Sequence, residues 1–293
     1  MINRRSFIRS ASVLGATPFL NASWLTASSR YIGIQLYTVR DDMQKDPKGT
    51  LRKVAAIGYN SLEGATYTGS QKFYGMGALE FSKFVKGLNC IMPSAHYRLG
   101  EDKDKGNTVN GTMLHEWDKA VEDAHKVGIQ YMVCAFLSVP ERGNADRYKY
   151  LADEFNKAGE KCKQAGIQFA YHNHDFEFIK QGDAVPYDIL LNQTDKDLVK
   201  MELDLYWVKK AGHDPIDLFN KHPGRFPLWH VKDMDKTSGD FTEVGNGNID
   251  FKKIFASAKQ SGMKYFFVEQ DKCPGSPFDS ISKSFAYIKG NLG

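Results

Sequence analysis

A single barrel of eight βα units with parallel strands is the fold this sequence predicts, and three observations carry it. A local unit repeats along the chain, odd polar residues fall where its strands end, and the length suits one closed barrel. The unit is a polar helix end, a glycine and a short β-rich run. It runs from Ile57-Gly58 to Glu63, from Lys86-Gly87 to Met92, from Val127-Gly128 to Val133, from Ala165-Gly166 to Tyr171, and from Ser261-Gly262 to Glu269. Glycine just past a helix end takes the left-handed cap that turns the chain into a strand.

Taken in order, a strand near Ile32–Tyr37 comes first. Helices are expected at Pro47–Ile57, Gly77–Lys86, Met113–Val127, Ala145–Ala165 and Phe251–Gln260. Asp46 before Pro47 and Asp250 before Phe251 are expected N-caps. The strands of the repeat, with Val199–Leu203 and Phe226–His230, bring the count to eight units. Alternation of this kind makes a parallel sheet, and eight units at this length close it; an open doubly wound sheet is the alternative.

Met1 to about Arg30 reads as a leader outside the fold, leaving one domain over 31–293. Arg4-Arg5-Ser6-Phe7-Ile8 is a twin-arginine signature, followed by a mildly apolar stretch with no acid. Export of a folded protein to the periplasm is the expectation, with no membrane span in the mature chain because the apolar run is too short. The chain carries 39 Lys and Arg against 35 Asp and Glu, a net +4. Arg4, Arg5 and Arg9 leave with the leader, so the mature chain stands near 36 − 35 = +1. That is no footprint for nucleic acid. The four cysteines show no paired spacing and are expected as free thiols.

Polar residues close nearly every strand. They are Gln35 and Tyr37, placed on one face by strand alternation, then Glu63, His96, Arg142 after the fourth strand, His172 and His174 with Glu177, Asp204, His230 with Lys232, and Glu269 with Asp271. A buried strand ending in Asp, His and Glu needs a partner for each group, and a shared metal supplies it. The expected ligands are Asp204, His230, Glu269 and one group of the fifth unit, with Glu177 taken and His172 and His174 as competitors. Such a set suits one divalent ion, Mn²⁺ first, with Mg²⁺, Co²⁺ or Zn²⁺ open. Acid/base candidates are Glu177, Glu269, His172, His174 and Lys232; substrate contacts are Gln35, Tyr37, Glu63, His96, Arg142 and Trp207.

Five stretches also carry a resemblance: Gln35–Arg40, Glu202-Leu203-Asp204, His230-Val231-Lys232-Asp233, Glu243–Asp250 and Val268-Glu269-Gln270-Asp271. Over roughly Tyr31 to the end the chain resembles the sugar phosphate isomerase/epimerase superfamily with the xylose isomerase-like TIM barrel. The resemblance implies a divalent metal held by Glu, Asp, His and Glu that grips two adjacent sugar oxygens. Two departures stand out. Tyr171 sits where many members carry a fifth-strand Glu, and Trp207 where epimerases often have a substrate-binding His.

The activity expected is proton removal next to a carbonyl of an unphosphorylated sugar or keto-sugar through an enediolate, as in a metal-dependent isomerase or epimerase. A lyase or hydratase acting on 3-keto-glycosides is the alternative. A non-catalytic sugar-binding barrel comes after it, and a nuclease or a glycosidase fits less well. The partner is a small carbohydrate, with a homo-oligomer left open.

Overall fold

The computed structural model describes residues 31–101 and 110–292; the expected leader, residues 1–30, lies outside them. Eight strands form the barrel: β1 (Gly33–Gln35), β2 (Ser61–Gly64), β3 (Ile91–Tyr97), β4 (Tyr131–Cys134), β5 (Gln168–His172), β6 (Val199–Asp204), β7 (Leu228–Val231) and β10 (Tyr265–Val268). A hairpin of β8 (Asp233–Met234) and β9 (Phe241–Thr242) stands between the last two. Every barrel pair is parallel, and β1 closes the ring by pairing with both β2 and β10.

The helices follow in chain order. They are α1 (Arg40–Lys45), α2 (Pro47–Ile57), α3 (Ala78–Gly87), α4 (Trp117–Val127), α5 (Ala145–Gln164), α6 (Pro186–Gln193), α7 (Leu205–Lys210), α8 (Pro215–Lys221), α9 (Phe251–Phe255), α10 (Ala258–Ser261) and α11 (Pro277–Asn291). Asp46 caps α2 by accepting from the Gly49 amide at 2.9 Å, and Asp250 caps α9 from Lys253 at 3.0 Å. No helix among the described residues is long and apolar enough to cross a membrane.

Strand alternation sorts the side chains into two layers. Outward residues meet the helices. Tyr171 stacks on Phe155 of α5 at 5.0 Å, and Trp229 on Phe219 of α8 at 5.0 Å. Inward, Val133, Ala170, Leu228 and Phe267 form a fully buried plug. Gly33 makes room for it, since a Cβ there would lie 2.5 Å from the Phe267 ring. This plug floors the barrel, so the polar ends of the strands above it meet at the C-terminal mouth.

Four expectations need correction. β1 stops at Gln35, whose side chain accepts from the Tyr37 amide at 3.1 Å and turns the chain into a 3-10 helix over Leu36–Val39. Gln35 and Tyr37 therefore do not share a strand face: Gln35 is buried and Tyr37 is 43% exposed. α4 starts at Trp117 rather than Met113, because Thr112 and His115 pair in a turn and Glu116 has φ 59°. Gly87 ends α3 inside the helix, and Asn89, at φ 57°, takes the left-handed position instead. The stretch 251–260 is two short helices, broken at Ala256 and Ser257. The four cysteines are free; Cys90, Cys134 and Cys162 are buried.

Candidate metal centre

Three of the four expected ligands meet at the mouth. Ligand atoms of Asp204, His230 and Glu269, all buried, lie within 4.8 Å of one another. Asp204 ends β6 and divides its carboxylate: Oδ1 caps α7 by accepting from Trp207 N at 3.0 Å, while buried Oδ2 takes no hydrogen bond. The Asn173 side-chain oxygen accepts from the Asp204 amide at 3.0 Å and fixes the strand end.

Glu177 is not brought to this cluster. Its carboxylate accepts from the Tyr171 hydroxyl at 2.5 Å and the His174 amide at 2.8 Å, on the helix side of β5. The physical reason is alternation. Tyr171 faces out, Ala170 and His172 face in, and His172 is the residue of β5 that reaches the centre, with Nε2 3.6 Å from Asp204 Oδ2.

A deeper layer decides which ring nitrogens face the centre of the cluster. Gln35 donates from Nε2 to Glu63 Oε2 at 2.9 Å and toward His96 Nδ1 at 3.2 Å. With that nitrogen accepting, His96 must donate from Nε2 to Glu202 Oε2, 2.7 Å away. His172 Nδ1 lies 3.1 Å from the same oxygen, so its proton sits there and Nε2 keeps a free lone pair. His230 Nε2 lies 2.5 Å from Glu63 Oε2, and its Nδ1 faces Glu269 Oε2 at 2.7 Å. Glu63 and Glu202 thus orient the imidazoles, as carboxylates behind ligating histidines do. Glu202 shares the inward face of β6 with Asp204 by two-residue spacing, a signal the motif Glu202-Leu203-Asp204 already offered.

The cation within this cage is Lys232. Its Nζ lies 2.7 Å from Glu269 Oε2, 3.1 Å from Asp204 Oδ2 and 3.1 Å from Asp271 Oδ2. Burial opposes the charge on Lys232, yet Asp204, Asp271 and Glu269 hold its pKa well above the ordinary value. Burial likewise opposes His230, but Glu202, Glu269 and Glu63 raise it. For Glu269 burial would raise the carboxyl; Lys232 and then His230 outweigh it and keep it ionised. Burial pushes Glu63 up to about 7, with Glu202 adding to it. The remaining imidazoles are driven down by burial, His96 to about 4 and His174 to about 3, with His172 also well below.

The donor set fits a divalent ion. Four buried carboxylates, Glu63, Glu202, Asp204 and Glu269, face one ammonium and one imidazolium; Glu63 Oε1 and Glu202 Oε1 take no hydrogen bond, and Asp204 Oδ2 meets only the Lys232 ammonium that Glu269 shares. Unpaired buried negative charge is costly, and a cation bound by oxygen and imidazole nitrogen offsets it. The residues that could hold it are His172, Asp204, His230 and Glu269.

A cavity of about 550 Å³ opens over the centre, lined among others by Tyr37, His96, His172, His174, Lys232 and Glu269. Gln35 and Glu63 lie beneath it rather than in contact with substrate. Arg142 and Trp207 stand behind the wall: Arg142 donates to Leu137 O at 2.8 Å with its guanidinium 3.3 Å over Phe176, and Trp207 packs on His174 at 5.4 Å. Asp271, named only beside Glu269 in the sequence, lines the cavity as well.

Comparison with known proteins agrees with this architecture. A family model described as xylose isomerase-like TIM barrel matches residues 51–289. A protein named inosose dehydratase from Clostridium beijerinckii is 29% identical over 170 residues, 51% of this chain and 56% of that one. The matched stretch thus spans a little over half of that relative. Another of the same name, from Geobacillus thermodenitrificans, is 29% identical over 208 residues, 58% of this chain and 69% of that one. A crystal structure from Parabacteroides distasonis, named a sugar phosphate isomerase/epimerase, superposes with a TM-score of 0.76 at 28% identity, covering 93% of this chain and 98% of the other. This chain belongs to the family of xylose isomerase-like TIM barrels.

Proposed function

We propose that this protein is a divalent-metal-dependent lyase that removes a proton beside the carbonyl of an unphosphorylated sugar or keto-sugar and expels a β-substituent. The observation that carries the reading is the state of Glu269. Its Oε2 is held by His230 and Lys232, its Oε1 takes no hydrogen bond among the described residues, and the residue lines the cavity. An ionised carboxylate with one free oxygen, fixed in place, can take a proton from a C–H acidified by the ion, and Lys232 and His230 hold its basicity below that of an ordinary carboxylate.

His172, Asp204, His230 and Glu269 would hold the ion, with Mn²⁺ the first choice for this oxygen and nitrogen set. When bound, it supplies the Lewis acidity that polarises a carbonyl and acidifies the neighbouring C–H. Glu269 Oε1 accepts that proton. Lys232, buried beside it and protonated, donates to the oxygen that leaves, so one proton is taken and one returned. His174 lines the cavity as a neutral imidazole whose buried Nδ1 has no partner, and offers a hydrogen bond to a sugar hydroxyl.

Elimination is favoured because it needs one base and one acid, and both sit on the β7–β10 side. Epimerisation through opposite faces needs a second proton-transfer group across the mouth. There burial keeps His172 and His174 neutral, and Glu177 is tied to Tyr171 and the His174 amide. The relatives named inosose dehydratase are in keeping with a lyase. Isomerisation through the same first proton transfer is the second reading, favoured by the Parabacteroides relative. The twin-arginine leader makes the periplasm the proposed location.

The test is solvent-deuterium incorporation into a panel of keto-sugars by Mn²⁺-loaded protein, followed by NMR. Exchange beside the carbonyl with a new C=C signal is expected, both lost in Glu269→Gln. Tight Mn²⁺ binding without exchange on any panel member would sink the reading.

A further inference from the structure

Lys232 meets more carboxylate than one ammonium needs. It follows β7, is 2% exposed, and three carboxylates stand against its Nζ: Glu269 Oε2 at 2.7 Å, Asp204 Oδ2 at 3.1 Å and Asp271 Oδ2 at 3.1 Å. The Trp207 and Phe241 ring centroids lie 5.9 and 6.0 Å from the same atom. Two of those oxygens belong to residues that would hold the ion, and an ammonium and a divalent cation drawn to the same oxygens repel each other. The third, on Asp271, is no ligand and takes no part in the proton transfers.

Asp271 differs from the other two in where it stands. Asp204 is fully buried, whereas the Asp271 side chain keeps 21% of its surface exposed and lines the cavity, so it meets Lys232 from the open side. Both its oxygens accept from Nζ, at 3.1 and 3.3 Å, and neither has another partner among the described residues. Its backbone is fixed from the turn after β1. Arg40 donates to Asp271 O at 3.1 Å and to Tyr37 O at 2.9 Å, and the neighbouring Gln270 amide donates to Thr38 Oγ1 at 3.1 Å. A carboxylate held in this way is built into the site, unlike a surface acid that meets a lysine by chance.

We propose that Asp271 is the positioning residue of Lys232: it draws the ammonium to the cavity side and leaves Asp204 and Glu269 for the ion. The charges support this. Three carboxylates against one ammonium sum to −3 + 1 = −2, which a divalent ion balances. Without the Asp271 charge the sum is −2 + 1 = −1, so the same ion leaves the cage one charge positive, and Lys232 has only ligand oxygens to turn to. The use of the held ammonium as the acid for the departing oxygen rests on the lyase reading; the hold that Asp271 has on it does not.

The experiment is a double-mutant cycle read by metal affinity. Mn²⁺ is titrated by calorimetry at pH 8 into metal-free protein carrying Asp271→Asn, Lys232→Met, both changes or neither. Asp271→Asn alone is expected to weaken Mn²⁺ binding at least about tenfold, but less than about threefold in the Lys232→Met background, where there is no ammonium to hold. The same loss in both backgrounds would mean that Asp271 acts on the ion by its charge alone, and overturns the proposal; so does unchanged affinity in the single variant. Thermal melts of the metal-free forms check the fold, and if Asp271→Asn does not fold, Asp271→Ser carries the same comparison. Turnover of the keto-sugar panel at saturating Mn²⁺ gives a second readout. Asp271→Asn should lower kcat at least about tenfold with KM within about threefold, and Asp271→Glu should recover part of kcat. A loss in KM alone would place Asp271 on the substrate and overturn the proposal. Coupled Mn²⁺ affinities with no turnover of any panel member by the wild-type protein keep Asp271 on Lys232 and overturn the lyase reading.

Discussion

Replacing Glu202 by Gln isolates what the deep carboxylates do. The amide keeps the shape and can still accept from His172 Nδ1, now 3.1 Å from Oε2, and from His96 Nε2 at 2.7 Å. What disappears is a negative charge that also lies 3.3 Å from His230 Nε2. Loss of a carboxylate behind a ligating histidine typically weakens metal binding about 10- to 100-fold, or roughly 1.4–2.7 kcal/mol. The fold should respond the other way. Burial raises the pKa of Glu202, which means its charge is held at a cost, so the metal-free variant should melt at or above the wild-type temperature. Calorimetric titration with Mn²⁺ gives the first quantity and thermal melts with and without Mn²⁺ the second. The signature is a weaker Kd, a smaller metal-induced rise in Tm and an undamaged apoprotein. Unchanged affinity would refute the argument that the charge of Glu202 strengthens the imidazoles in front of it, and a collapse of the apoprotein would show that the carboxylate serves packing instead.

Two further outcomes follow from other residues. Burial pushes Glu177 up to about 7, so the folded state holds its proton more tightly than the unfolded chain; the stability this gives is complete below the ordinary carboxylate range and is lost as pH rises through 7. Wild-type protein should therefore lose up to about 3 kcal/mol between pH 4.5 and 7 relative to Glu177→Gln in urea melts, and parallel pH profiles would refute this. Asp233 accepts from the amides of Met234, Gly245, Gly247 and Ile249 at 2.8–3.2 Å, pinning the loop that carries β9. Asp233→Asn should cost about 2–4 kcal/mol and speed hydrogen exchange at Gly245–Ile249, while unchanged exchange there would mean the loop is held by its other contacts.

The barrel was legible because each unit repeats its own punctuation. The meeting of Asp204, His230 and Glu269 was legible because a charge closing a buried apolar run is tolerated only when something pairs with it. The fifth-unit ligand was misplaced for a reason internal to strands. Position within a motif set Tyr171 at the ligand site, but a side chain's direction is fixed by pairing with neighbours. β5 enters the barrel with Ala170 opposite Val133, which turns Tyr171 toward Phe155 and His172 toward Asp204. Period two read back from a small inward residue would have found it. The same arithmetic from Asp204 finds Glu202. Tyr37 is a different case. Its departure from the strand depends on one side-chain-to-backbone hydrogen bond from the residue two before it, which no periodicity records. That local turn lifts the ring out of the core and onto the rim of the cavity, where Tyr37 stands 43% exposed.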